Sequence, residues 1–205
     1  MVNSTTERRP GRRPGAPATR EAILEAAREA FVASGYRAAT IRGIAQAAGV
    51  DPALVMHFFG NKEGLFAEAM RPPFEPAAVL SAALATDPAA AGTAIARTFL
   101  EAWESSAQRR TLLGLVRSAV SEESAAMMLR EGLLAGVERS LNELGADRPA
   151  LRASLISSQL IGVAMARYMV RARGAAEATP AELAAAIGPT LQRYINGPLF
   201  EGGTA

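Results

Sequence analysis

The chain of 205 residues contains no cysteine, one histidine and few aromatic residues, which make up 5% of the total. The missing cysteine excludes disulfide bonds and thiolate chemistry, and a single histidine leaves no second His or Cys to complete a typical metal site. We therefore expect no cofactor and no metal. Because β-branched and aromatic residues are sparse and alanine is abundant, the composition predicts an all-α fold.

Long apolar stretches are missing as well. No run of 18 apolar residues occurs, so we expect no membrane span. The Arg- and Pro-rich N-terminus also lacks the apolar segment of a secretory signal. Together these features predict a cytoplasmic protein.

Positive charge is concentrated at the N-terminus, although the net charge of the whole chain is only +2. Residues 1–20 carry five Arg against one Glu, whereas residues 71–205 carry thirteen Arg against thirteen acidic residues. Residues 1–18 contain three prolines and no hydrophobic period, which predicts a disordered basic arm. Arg12 and Arg13, within RRPGRRPG, suit a narrow DNA minor groove, where the potential is most negative. A solubilising tail is the alternative interpretation.

Helix signals begin after this arm. Thr19 is the predicted N-cap of a first helix that Gly35 ends, and Thr40 caps a second helix that Gly49 ends. Asp51 caps a third helix, with Pro52 at its first position, and Asn61 caps a fourth. Beyond Pro72-Pro73, the pattern predicts helices within 76–104, 108–144, 149–173 and 180–196, about nine or ten in all.

The segment IRGIAQAAGVDPALVMHFFGNK, residues 41–62, joins two short helices by a tight turn. Ala45 provides a small contact where the helices cross, and Gly49 tolerates the positive φ that the turn requires. Val55 and Phe59 are predicted to anchor the second helix, which leaves its other face outward. This arrangement is typical of helix-turn-helix proteins, which place that face in the DNA major groove.

Residues 19–70 resemble the N-terminal domain of the tetracycline-repressor (TetR) family through four motifs in the same order and spacing: ILEAAREAF, GYRAAT, IAQAAGV and HFFGNKEGL. The resemblance covers about a quarter of the chain. It implies a three-helix DNA-binding domain with a helix-turn-helix (19–71), followed by a helical ligand-binding and dimerisation domain (72–205). The implied function is a homodimeric, ligand-responsive repressor that binds a pseudo-palindromic operator and associates with the nucleoid.

The predicted DNA contacts combine the basic arm with the helix-turn-helix. Thr40, Arg42 and Lys62 suit phosphates, while Ala53 and Leu54 suit thymine methyl groups. Met56 stands where the family usually has a Tyr whose hydroxyl binds a phosphate, a hydrogen bond that Met cannot donate. A packing role for His57 and a solvated role for Arg42 and Lys62 are alternatives. The full predicted set is Arg12, Arg13, Thr40, Arg42, Pro52, Ala53, Leu54, Met56, His57, Phe58 and Lys62.

The resemblance also implies an adaptable pocket for a small apolar ligand and a two-fold helical interface. The predicted pocket residues are Phe66, Met70, Phe99, Trp103, Leu113, Met127, Met128, Met165 and Tyr168, for which core packing is the alternative. Small residues four apart and neighbouring apolar residues predict the dimer interface, with internal packing as the alternative. These residues are Ser154, Leu155, Ser158, Gly162, Ala166, Ile187, Leu191 and Tyr194.

Two functions of other classes compete with DNA binding. One is a helical enzyme or ligand carrier, and the other is a module that binds a protein partner without DNA. The sequence contains no Ser-His-Asp set and no G-x-x-x-x-G-K-[ST] loop, so we expect no enzymatic activity.

Overall fold

A computed structural model of the chain describes residues 16–71, 74–130 and 134–200. Within these ranges the protein is all-α, as predicted, and has no strand. The α-helices are α1 (Ala16–Ala38), α2 (Ile41–Ala47), α3 (Pro52–Phe59), α4 (Lys62–Ala69), α5 (Pro76–Thr86), α6 (Ala91–Glu104), α7 (Ser106–Ser121), α8 (Glu123–Leu129), α9 (Ala135–Glu143), α10 (Pro149–Ala164), α11 (Arg173–Glu177) and α12 (Pro180–Asn196).

Side-chain caps begin the three short helices near the N-terminus, where they were predicted. Thr40 accepts a hydrogen bond from the Gly43 amide at 3.1 Å, and Asp51 accepts one from Ala53 at 2.7 Å. Asn61 accepts one from Gly64 at 2.7 Å. Each cap satisfies an amide that has no partner within its helix, so these helices begin where their local sequence dictates.

The predicted start of α1 is wrong, because the helix already includes Ala16 and Thr19 lies inside it. Pro17 is compatible with this earlier start, since the first turn of a helix needs no amide donor there. Gly35 interrupts α1 with a φ of 75°, a conformation that residues with a side chain rarely adopt.

The long helix predicted over 149–173 is shorter. Regular α10 ends at Ala164 and continues as a π-helical segment, Met165–Met169, before Arg171 adopts a φ of 55°. Arg167 stabilises this reversal by donating a hydrogen bond to the Ala175 carbonyl at 2.8 Å. Breaks of this kind, and the division of residues 108–144 into three helices, raise the number of helices above the predicted nine or ten.

The larger hydrophobic core lies among α5, α6, α7, α9, α10 and α12. Its tightest contact is between α6 and α12, where a Cβ added to Gly92 would lie 2.3 Å from the Gly188 carbonyl oxygen. Gln192 of α12 also accepts a hydrogen bond from the Gly92 amide at 2.8 Å. Two glycines therefore allow the backbones of α6 and α12 to touch.

A second core lies among α1–α4 and centres on Phe31, Tyr36 and Phe66. The Phe66 ring lies edge-on to both neighbours, with centroid distances of 4.8 Å to Phe31 and 4.9 Å to Tyr36. Leu115 of α7 and Ala125 of α8 are buried in this same core. The two cores are thus joined through α7, which contributes residues to both.

None of the helices in the described part of the chain is both long enough and apolar enough to span a bilayer.

Candidate nucleic-acid interface and apolar cavity

The turn between α2 and α3 holds these helices in a fixed relation. Gly49 has a φ of 67°, and the Val50 amide donates to the Ala45 carbonyl at 2.9 Å. Ala45 is completely buried where the helices approach each other. The turn therefore has the glycine and the small residue that the sequence pattern required.

Helix α3 is anchored on one face and open on the other. Val55 is fully buried and Phe59 is 8% exposed, while the Arg20 guanidinium lies 5.2 Å from the Phe59 ring centroid. On the outer face, Met56 is 44% exposed and His57 is also exposed. Since nothing in the described chain covers this face, it is accessible to a duplex.

The other predicted contacts on α3 surround this face. Ala53 is exposed, whereas Pro52, Leu54 and Phe58 are half-buried. The Phe58 ring lies 5.7 Å from the His57 ring, so the two form an aromatic pair near the end of the helix. The exposed surface of α3 thus combines small or apolar residues at its start with an imidazole and a phenyl ring at its end.

Thr40 and Arg42 are exposed at the start of α2, beside the amides of its first turn. Lys62, at the start of α4, is half-buried and already has protein partners. Its ammonium donates to the Arg37 carbonyl at 3.2 Å and lies 4.5 Å from the centroid of the Tyr36 ring. Lys62 therefore ties the end of α1 to the start of α4.

The Tyr36 hydroxyl adds a second tie between these helices by donating to Glu63 at 2.8 Å. This hydrogen bond is the main reason why the pKa of Glu63 is lowered. The remaining predicted contacts, Arg12 and Arg13, lie outside the described residues.

An apolar cavity of about 30 Å³ lies in the larger core, between α5, α6, α9 and α10. This volume holds about one water molecule, whereas sites for drug-sized ligands occupy roughly 300–1,000 Å³. Its lining contains no charged residue, and its polar side chains are the hydroxyls of Thr98 and Ser157. The lining residues are Phe74, Pro76, Val79, Leu80, Ile95, Thr98, Phe99, Val137, Ile156, Ser157 and Leu160.

Among the predicted pocket residues, Phe99 lines this cavity and the others with described side chains do not. The assignment of Phe66 and Met70 is wrong, because both are fully buried in the smaller core around α1 and α4. Met127 is 47% exposed on α8, and Leu113 packs partly buried against the larger core. The side chain of Met128 lies outside the described residues.

Trp103, Met165 and Tyr168 pack beside the cavity rather than around it. The Trp103 ring stacks on Tyr168 with a centroid distance of 5.4 Å and lies 5.8 Å from the Phe99 ring. Burial is the main cause that raises the pKa of Tyr168 to about 12, and a hydrogen bond to Glu104 at 2.6 Å adds to it. The same hydrogen bond lowers the pKa of Glu104.

The predicted interface residues on α10 form an exposed stripe. Ser154, Ser158 and Gly162 are exposed, and a Cβ at Gly162 would meet no atom within 4 Å. Leu155 and Ala166 beside this stripe are half-buried. The α10 surface therefore leaves space for another helix.

On α12, Ile187 and Tyr194 are half-buried, but the assignment of Leu191 to an interface is wrong. Leu191 is completely buried inside its own chain, because it shares the inward face of α12 with Ala184, Gly188 and Ile195. A partner could not reach it without opening the core.

Sequence reasoning missed most of the cavity lining. Val79, Ile95 and Val137 lie on three different helices, and in sequence they look like any other core aliphatic residue. No local signal distinguishes such positions. In the described ranges, no cluster of three or more His, Asp or Glu side chains has the arrangement to hold a metal ion.

Comparisons with known proteins agree with this architecture. A family model described as "Bacterial regulatory proteins, tetR family" matches residues 23–69, and one described as "Tetracyclin repressor-like, C-terminal domain" matches residues 89–195. A crystal structure of a TetR-family regulator from Streptomyces coelicolor A3 is 36% identical. The match covers 91% of this chain and 99% of that one, with a TM-score of 0.70.

Compared with that regulator, one further relative matches a smaller part of the chain and another has a lower sequence identity. The HTH-type transcriptional repressor AcnR from Corynebacterium glutamicum is 44% identical over 48 residues, which span 23% of this chain and only 26% of AcnR. The structure of NalD, the secondary repressor of the MexAB-OprM multidrug efflux pump in Pseudomonas aeruginosa, is 21% identical with a TM-score of 0.64. That match covers 87% of this chain and 96% of NalD, and it supports the fold.

The outward face of α3, the two-core helical architecture and the matches over both regions agree on one conclusion. The chain belongs to the TetR family and is a DNA-binding transcription regulator.

Proposed function

We propose that this regulator is a ligand-responsive repressor that binds a pseudo-palindromic operator as a homodimer. The observation that carries the proposal is the exposed face of α3, which is held outward by the buried side chains of Val55 and Phe59. A helix anchored in this way can enter the major groove without distorting the domain that supports it. The proposal includes no catalytic step, and the protein would act in the cytoplasm on chromosomal DNA.

On the operator, the apolar and polar residues of the exposed α3 face would contact different chemical groups of the DNA. Ala53, Leu54 and Met56 are apolar and suit thymine methyl groups, whereas His57 can reach a base edge or a phosphate. Arg42 would contact a phosphate, together with the Thr40 hydroxyl and the N-terminal amides of α2. These phosphate contacts would fix the register of α3 on the duplex.

A homodimer would place two such helices on one duplex. The exposed stripe of Ser154, Ser158 and Gly162 on α10 supports this part of the proposal, since small residues let a second helix approach closely. The Ser154 hydroxyl already donates to the Ala150 carbonyl at 2.8 Å, so it requires no partner across the interface. A two-fold arrangement of this stripe would match a pseudo-palindromic operator.

The cavity supports response to a small, uncharged, apolar ligand. Because its present volume is about 30 Å³, a ligand would have to displace lining side chains such as Phe99 of α6. Helix α6 continues at Ser105 into α7, which contributes Leu115 to the core beneath the DNA-binding helices. A shift of α6 would therefore reach α1–α4, and ligand and DNA would weaken each other's binding by the same factor.

The test of DNA binding begins by selecting bound fragments from random DNA and measuring affinity for the enriched sequence at two salt concentrations. Affinity is expected to fall steeply as salt rises. Arg42→Ala should lower the slope of this salt dependence by about one phosphate contact. The matched control is Arg97→Ala, an exposed arginine on α6, which should leave the slope unchanged.

Replacing Met56 by Tyr tests the departure from the family pattern. The new hydroxyl restores a possible phosphate donor, so Met56→Tyr should tighten operator binding by a few fold, on the order of one hydrogen bond. Failure to enrich any sequence, or an affinity that salt does not change, would contradict the proposed DNA binding.

Ligand response can be followed through Trp103, the single tryptophan of the chain, which contacts Phe99 of the cavity lining. Uncharged apolar compounds are screened by Trp103 fluorescence and by the melting temperature. A compound that fills the cavity should change both and should release the operator. A compound that binds saturably but leaves operator affinity unchanged would refute the switch while leaving the DNA-binding proposal intact.

A further inference from the structure

A second concave site lies where the DNA-binding helices meet the rest of the protein. It is a cleft of about 480 Å³ between α1 and α7, with Arg71 at its side. This volume lies within the range of small-molecule sites, unlike that of the apolar cavity. The walls belong to elements on both sides of the junction between the two cores, so an occupant would contact α1 and α7 together.

Two of the three arginines in the cleft have no carboxylate partner in the described part of the chain. Arg28 is neutralised, because its guanidinium pairs with Glu25 at 2.7 Å and with Glu21 at 3.1 Å. In contrast, Arg71 and Arg110 form no ion pair with any carboxylate in the described part of the chain. The lining residues carry three positive charges, on Arg28, Arg71 and Arg110, against two negative charges, on Glu25 and Glu29. Glu21, which is not part of the lining, is the second carboxylate partner of Arg28.

This combination favours a particular kind of ligand. Arginine presents several N–H donors in a planar fork that fits the oxygens of phosphate and carboxylate groups. Val32 and Ala33 contribute apolar wall, and a cleft with low-dielectric walls strengthens the field of its charges. Gln108 adds an amide that can donate to the same anion.

We infer that the α1–α7 cleft is a binding site for a compact polyvalent anion, held by Arg71 and Arg110 and distinct from the apolar cavity. The ligand class is small molecules that carry two or more phosphate or carboxylate groups. Because the anion would bridge α1 and α7, it would couple the helices that carry the DNA-binding face to the helix that shares both cores. The cleft would therefore bind a charged effector, whereas the apolar cavity, which has no charged lining residue, would not.

The experiment is calorimetric titration of the full chain, without DNA and at low ionic strength, with inorganic pyrophosphate and in parallel with tricarballylate. At least one of the two probes should bind saturably, at one site per protomer. Saturable binding of both assigns a site that accepts either anionic group. Binding of pyrophosphate alone assigns a phosphorylated ligand, and binding of tricarballylate alone assigns a carboxylate. If neither probe binds saturably, the inference is overturned.

Variants localise the site. Arg71→Gln and Arg110→Gln should each weaken probe binding about tenfold, the loss of one charged hydrogen-bonding partner. Glu29→Gln should tighten binding, because it removes the opposing charge. Arg97→Gln is the matched control outside the cleft and should bind the probe as the wild type does. Arg42→Gln tests the competing location, because Arg42 lies on the DNA-binding face.

Hydrogen exchange gives a second measurement that does not depend on substitutions. The probe should slow amide exchange in 25–33 and 108–111, the two walls of the cleft. An equal loss of binding in Arg42→Gln, or protection confined to α2 and α3, would place the anion on the DNA-binding face and overturn the inference. Both results leave the proposed operator binding untouched, so the two proposals fail separately.

Discussion

Arg152 provides the sharpest test of how the last helix is held in place. This residue is 3% exposed, yet its side chain is charged. Its guanidinium donates to the carbonyls of Tyr194 at 2.9 Å, Arg193 at 3.3 Å and Gly197 at 2.9 Å, at the C-terminal end of α12. All three carbonyls lie at a helix end, where the dipole favours a cation and helical partners run out. The Arg193 carbonyl still accepts a hydrogen bond from the Gly197 amide at 2.9 Å, so the cap matters most for Tyr194 and Gly197. Arg152 therefore acts as a C-terminal cap from another helix.

Arg152→Met keeps the length and the apolar stem of the side chain but removes every donor. A buried carbonyl left without a partner costs about 1–3 kcal/mol, although water can replace part of the loss near the chain end. The substitution removes the buried charge together with its donors and leaves only the exposed Asp147 carboxylate unpaired, so we expect the free energy of unfolding to fall by about 1–3 kcal/mol. For a chain of this size the melting temperature should then drop by roughly 5 °C.

A variant of Asp147 distinguishes the two possible causes of such a loss, which are the lost ion pair and the lost hydrogen bonds to the carbonyls of α12. Asp147 also pairs with Arg152, but its side chain is 67% exposed. An exposed ion pair contributes at most about 1 kcal/mol, so Asp147→Asn should cost much less than Arg152→Met. Arg152→Lys keeps the charge without the planar fork and should lie between the two.

The assay is urea denaturation followed by circular dichroism at one protomer concentration, because self-association makes apparent stability depend on concentration. A loss below about 1 kcal/mol in Arg152→Met would refute the capping role. An equal loss in Asp147→Asn would show that the ion pair, and not the cap, carries the energy.

Two further perturbations test packing and ionisation. Gly92→Ala puts a Cβ 2.3 Å from the Gly188 carbonyl oxygen and should destabilise by about 1–3 kcal/mol or more, whereas Gly49→Ala meets no atom and should cost about 1 kcal/mol. Thermal melts that reverse this order would contradict the close helix contact. The raised pKa of Tyr168 stabilises the fold below pH 10, and this contribution is lost as pH rises towards about 12. Glu104→Gln should lower the phenolate midpoint in an absorbance titration, and an unchanged midpoint would contradict the hydrogen bond.

Much of the candidate DNA-binding face was predictable because its determinants are local. Caps such as Thr40 and Asp51 act within three residues, and Gly49 is required by the φ of its own turn. The burial of Val55 and Phe59 follows from their spacing of four residues on a short helix with one anchored face. These features need no knowledge of distant parts of the chain.

The partners of Lys62 could not be predicted in this way. It has the position of a phosphate contact at a helix start, but its ammonium lies on the Tyr36 ring and bonds a carbonyl at the end of α1. The signals for a phosphate contact and for a tie between helices are the same in sequence. Which of them holds depends on how α1 and α4 are placed.

The sequence by itself determined the helical class, the helix-turn-helix and the outward face of α3, because periodicity, caps and turns act over a few residues. Only the tertiary structure decided which apolar side chains surround the cavity, that Leu191 faces its own core, and that Arg152 caps α12. These outcomes depend on contacts between residues far apart along the chain. Any apolar residue on a helix face satisfies the local pattern equally well, so the choice among them is made when the helices pack.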